Sequence, residues 1–78
     1  MIDLDAYAAR WAAEYEAALL IELDADATHP YASAYVTACD ECPPPLAFDP
    51  RDRETARRTA RADVHRRLGV TAHRDRAY

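Results

Sequence analysis

Cys39 and Cys42 form a C-x-x-C pair, the spacing at which this chain could do chemistry most directly. Two thiolates so placed can grip one zinc ion, which takes four ligands. His29, His65 and His73 are the histidines available to complete such a set, and their spacings match no known zinc module. The pair could also cycle between dithiol and disulfide, but a thioredoxin-like use needs a strand–helix–strand setting that is absent here. A third reading makes both cysteines small buried side chains on a helix face. That reading leads to an expectation of no cofactor, with Cys39 and Cys42 as the zinc candidates if a metal is bound.

Arg53, Arg57 and Arg61 recur one helical turn apart, and Arg58, Arg66 and Arg67 add charge around the same segment. Such a helix can lie along phosphates. It can equally pair with Glu14, Glu16, Glu22, Asp24 and Asp26 of the same chain, or with acids of a partner. The distribution of charge favours pairing with acids. Residues 1–42 carry nine Asp or Glu against Arg10 alone, a net −8; residues 43–78 carry nine Arg against five acids, a net +4; Lys is absent. The whole chain stands at −4, which argues against a general binder of polyanions.

Residues 59–78 resemble part of a helix-turn-helix DNA-binding motif. Val64, Leu68, Gly69 and Val70 fall at its apolar and turn positions, whereas His65 stands where the motif takes a small residue and Asp75 where it takes an apolar one. The resemblance implies that Thr71, His73, Arg74 and Arg76 would face DNA. A glycine-capped helix followed by a tail accounts for the same residues.

Signatures of catalysis are missing. Ser33 is the sole serine and has no glycine-rich elbow around it, there is no phosphate loop, and Asp24-x-Asp26 and Asp40-Glu41 supply too few oxygens in sequence for a calcium loop. The chain is therefore expected not to be an enzyme, and no small-molecule substrate is inferred.

The elements that would position these residues are helical. Over 3–23, Ala, Leu, Glu and Arg dominate without Gly or Pro, and Asp3 or Asp5 can cap the start. Leu4, Ala8, Trp11, Tyr15 and Leu19 form one apolar stripe, and Ala6, Ala9, Ala13, Ala17 and Leu20 form a second on the opposite side. A helix apolar on two faces calls for two neighbours. The first face would meet the rest of this chain; the alanine face would admit a second helix closely, although Ala is also simply a good helix former. A second helix is predicted over 29–42, with Thr28 or His29 as cap, Pro30 in the first turn, and Tyr31, Tyr35, Cys39 and Cys42 on one face. The β-branched and aromatic residues of 34–38 also suit a strand. Pro43, Pro44 and Pro45 end that element and stiffen the connection, after which Leu46 and Phe48 are expected to enter the core. Asp49-Pro50 opens a third helix, 50–68, closed by Gly69, the only glycine, with Val70 folding back on the last turn.

The fold class expected is all-α: one small three-helix domain, 1–78, with 69–78 as a tail or short helix. Seventy-eight residues bury only about 60% of their unfolded surface. The large core formers are few: Leu4, Trp11, Leu19, Leu20, Ile21, Leu23, Val36, Leu46, Phe48, Val64, Leu68, Val70 and some tyrosines. Stability is then marginal without a metal, a disulfide or a partner chain. The acidic start shows no secretory signal and no run is long enough to span a membrane, so a cytoplasmic location is expected, from a GC-rich genome by the all-Arg, Ala-rich composition. The function expected is a small non-enzymatic protein that binds another protein or itself, as regulator, inhibitor or assembly subunit, through Ala6, Ala9, Ala13, Ala17, Leu20, Arg53, Arg57 and Arg61. The alternative is a nucleic-acid-binding regulator using the arginine helix and the helix-turn-helix-like C-terminus.

Overall fold

The computed structural model describes residues 3–44 and 48–70. It consists of three helices, α1 (Leu4–Asp24), α2 (Pro30–Glu41) and α3 (Pro50–Leu68), with no strand among the described residues. The segment 34–38 lies inside α2, so its strand alternative is not realised. Leu46, Pro45 and the whole of 71–78 fall outside the described residues, and with them His73 and the helix-turn-helix positions Thr71, Arg74 and Arg76.

Local chemistry sets the helix ends. Asp3 caps α1 by accepting from the Asp5 N–H at 3.0 Å, and Asp49 caps α3 by accepting from the Arg51 N–H at 2.8 Å, with Pro50 in the first turn. His29 occupies the cap position of α2 without a side-chain capping bond, and Pro30 follows it. Gly69 closes α3 in the left-handed region at φ 68°, ψ 32°. Its N–H donates to the Arg66 carbonyl at 3.3 Å and that of Val70 to His65 at 3.0 Å, the paired bonds of a Schellman closure. The same closure ends α1 with an unexpected residue. Asp26 takes the left-handed position at φ 55°, its N–H reaches Leu23 at 3.2 Å, and the Ala27 N–H reaches Glu22 at 3.0 Å.

Packing centres on α1, which is the common neighbour of α2 and α3. Its inner face carries Tyr7, Trp11, Tyr15, Ala18 and Leu19; α2 contributes Tyr31, Ala34, Ala38 and Cys42, and α3 contributes Ala56, Ala60 and Val64. The alanines of α2 and α3 let both helices approach the rings of α1. Trp11 is fully buried, stacked on Tyr15 with centroids 5.2 Å apart and edge-on to Tyr35 at 5.3 Å. Each such aromatic pair contributes about 0.5–1.5 kcal/mol beyond area burial. Phe48 does reach the core edge, meeting Tyr7 edge-to-face at 5.6 Å. Trp11 Nε1 has no hydrogen-bond acceptor among the described residues, a desolvation cost that the surrounding ring contacts offset.

Two residues counted among the large core formers lie on the surface instead, Ile21 at 68% exposed and Val36 at 59%; Leu20, on the alanine face of α1, is 48% exposed. Tyr7, Tyr15 and Tyr31 are buried in the core, and the hydroxyls of Tyr7 and Tyr15 reach Arg57 and His65 at its edge, since Tyr can bury its ring and still deliver its hydroxyl to a polar partner.

Candidate functional site

Two regions carry the residues of interest: the outer face of α1 and the seam where α3 meets the tyrosines.

On α1, Ala6, Ala9, Ala13, Ala17 and Leu20 are all exposed, and they lie opposite the buried stripe headed by Trp11. This is the face singled out from the sequence, and neither α2 nor α3 covers it. A groove of about 650 Å³ runs along one side of it, floored by Ala9, Ala13, Ala17 and Leu20 and rimmed by Glu16 of α1 and Asp63, Arg66 and Arg67 of α3. Arg67 bridges the groove to Glu16 at 2.9 Å, while Arg66 pairs with Asp63 within α3. Although Asp63 and Arg67 stand four residues apart on α3, Asp63 takes the arginine three residues on, and Arg67 is drawn to an acid of α1. Glu54 and Arg58, also four residues apart on α3, pair at 3.1 Å. On the far side of the face, Ile21 adds exposed apolar surface beside Ala17 and Glu14.

The stripe Arg53, Arg57 and Arg61 runs along α3. All three are half-buried, and two of them contact tyrosines. Arg57 Nε donates to the Tyr7 hydroxyl at 3.0 Å, and the Arg61 guanidinium lies 5.4 Å from the centroid of Tyr35. Burial works against the Arg57 charge, but the Tyr7 hydrogen bond, the nearby Cys39 and the Tyr35 hydroxyl outweigh it and hold the proton more firmly than usual. A guanidinium is planar and weakly hydrated, so it accepts an aromatic face or a phenol oxygen where an ammonium would not. The acids Glu22, Asp24 and Asp26, proposed partners of this stripe, sit at the end of α1 and in the loop after it.

By sequence alone His65 reads as a potential metal ligand and as a misfit in a helix-turn-helix. Its ring fills the junction of all three helices. Nε2 shares a hydrogen bond with the Tyr15 hydroxyl at 2.7 Å, and the ring meets Tyr31 edge-on with centroids 5.3 Å apart. Burial first, and the Arg61 charge second, push its pKa below the ordinary value. A histidine three residues before the closing turn of an otherwise Ala- and Arg-rich helix was the available signal, and only tertiary contact gives it meaning.

Cys39 and Cys42 are both free thiols at the C-terminal end of α2, Cys39 half-buried and Cys42 buried. Burial pushes the Cys42 thiol up, with Arg10 and Arg57 opposing and Glu14 and Cys39 adding to the rise. His29 lies at the other end of α2, about 15 Å away at 1.5 Å per residue, and His65 is engaged with Tyr15. Among the described residues no group of three or more Cys, His, Asp or Glu gathers at one point.

Compared with known proteins, the chain matches no family model, no curated protein and no solved structure. No helix among the described residues is long and apolar enough to cross a membrane.

Proposed function

We propose that this chain is a small non-enzymatic protein of the cytoplasm that acts by binding another protein, or a second copy of itself, as a regulator, inhibitor or assembly subunit. The observation that carries the reading is the uncovered outer face of α1: Ala6, Ala9, Ala13, Ala17 and Leu20 lie together in solvent, opposite the stripe that is buried. Small side chains let a second helix approach closely, and Leu20 and Ile21 supply apolar area at the end of the face. The rim carries both signs of charge, Glu16 and Asp63 with Arg66 and Arg67, which favours a protein surface over a uniformly anionic ligand.

The alternative, nucleic-acid binding by α3, draws less support from the geometry. Its named arginines Arg53, Arg57 and Arg61 are half-buried, and of those that face outward, Arg58 and Arg66 are paired with Glu54 and Asp63. Salt-sensitive retardation of duplex DNA or RNA by the wild-type chain would favour it.

Site-directed photo-cross-linking tests the first reading. A photoreactive amino acid at Ala13 should capture a defined species in host extract or a second copy in the purified protein. The same group at Thr55, which is exposed on α3, should not. Equal capture from both positions, or none from Ala13, contradicts the assignment of this face.

A further inference from the structure

The thiol pair has a setting that neither a buried core role nor the proposed binding face uses. Cys39 is in the last turn of α2, and Cys42 is the first residue past it, with φ −133° and ψ 71°. The Cys42 N–H still donates to the Ala38 carbonyl at 2.9 Å, so the residue stays over the final turn although its backbone has left the helix. Residues three apart on a helix hold their Cβ atoms about 5–6 Å apart, and a disulfide needs roughly 3.5–4.5 Å. Closing that gap within a regular helix would strain the turn. Here the second cysteine is outside the helix and is followed by Pro43 and Pro44, which have no N–H to tie the end down. α1 and α3 end in doubly bonded Schellman closures; α2 has only the Cys42 bond among the described residues.

We propose that Cys39 and Cys42 are a reversible oxidation site: a dithiol that low-molecular-weight disulfides convert to an intramolecular disulfide across the end of α2. The division of labour follows from burial. Cys39 is half-buried and accessible enough to be struck first. Cys42 is 4% exposed and is shielded from outside reagents. The Cys39 thiolate attacks one sulfur of oxidised glutathione, the S–S bond breaks, and one glutathione leaves as its thiolate and takes a proton. Cys42 then gives up its proton, its sulfur attacks the Cys39 sulfur, and the second glutathione departs. The protein loses two electrons and two protons, and oxidised glutathione becomes two thiols. The reverse exchange with a reducing dithiol restores both cysteines. Transient disulfides of this kind are compatible with a reducing compartment. The closed ring would fix the direction in which the chain leaves α2 toward Phe48, whose ring packs on Tyr7.

The test incubates the reduced full chain with oxidised glutathione, blocks remaining thiols with iodoacetamide, and maps the products by mass spectrometry, with helicity checked by circular dichroism. The wild type should lose two hydrogens, carry no adduct and give a linked Cys39–Cys42 peptide. Cys42→Ser should trap glutathione on Cys39, and Cys39→Ser should stay unmodified while folded. A lasting glutathione adduct on the wild type, a disulfide between two chains, modification of Cys42 in Cys39→Ser, or no reaction of the wild type each overturns the proposal.

Discussion

The Tyr15 hydroxyl and His65 Nε2 meet at 2.7 Å although 50 residues of chain separate them. This contact joins α1 to α3, and the Tyr31 ring of α2 closes on the same imidazole. Three helices therefore converge on one titratable group, with Tyr15, Tyr31 and Arg61 facing it. Protonating His65 adds a second cation next to Arg61 in a half-buried site and obliges Nε2 to donate to the Tyr15 oxygen.

A pH dependence follows. In the unfolded chain His65 titrates near its ordinary 6.5, and in the folded chain lower. Between the two values the unfolded state binds the extra proton, so stability is full above the unfolded value and falls as pH drops through that window. Urea unfolding from pH 8 to pH 5 should show this loss. His65→Gln, which keeps a hydrogen-bonding group for Tyr15, should show a smaller one, with His29 and His73 common to both chains. Identical slopes for the two would remove His65 from the account.

The arginines of α3 should separate into two classes. Tyr7→Phe removes the acceptor of Arg57 and should cost about 1 kcal/mol, since a half-buried cation loses a hydrogen bond but keeps some water. Arg61→Gln should also destabilise by removing a cation from the Tyr35 ring. Arg51→Gln, Arg58→Gln and Arg66→Gln lie on the exposed side and should each stay within about 0.5 kcal/mol of wild type. Denaturant midpoints for the five variants check the division.

The two Schellman closures give a reciprocal pair. Gly69 and Asp26 occupy equivalent left-handed positions, and a Cβ at Gly69 would meet nothing within 4 Å, so backbone conformation alone sets the cost there. Gly69→Ala should lose about 1 kcal/mol, and Asp26→Gly should gain up to about 1 kcal/mol by relieving the same strain. Thermal melts of both variants should shift in opposite directions.

The helix ends were legible in the sequence wherever they are local. Asp3, Asp49-Pro50 and Gly69 act within four residues of themselves, and they delimit α1 and α3 as expected. The two-faced pattern of α1 was legible for the same reason, since helical period alone sorts Ala13 from Trp11. Which large side chains go inside was less so. Ile21 and Val36 are more hydrophobic than Tyr7 or Tyr31, yet they are exposed while both tyrosines are buried. The partners of Arg57 and Arg61 were illegible because a guanidinium takes a carboxylate, a phenol or a ring, and only the packing of α3 decides among them. Asp26 gave no signal, as Asp is common in loops and only occasionally left-handed.

The most direct measurement of the proposed role is the effect of Ala13→Glu on association. The substitution places a charge at the middle of the exposed α1 face, at a position open to solvent. Light scattering of the purified chain, together with capture of its partner from host extract, should show reduced self-association or reduced capture while circular dichroism and melting temperature stay near wild type. Unchanged mass and unchanged capture would contradict a binding role for this face.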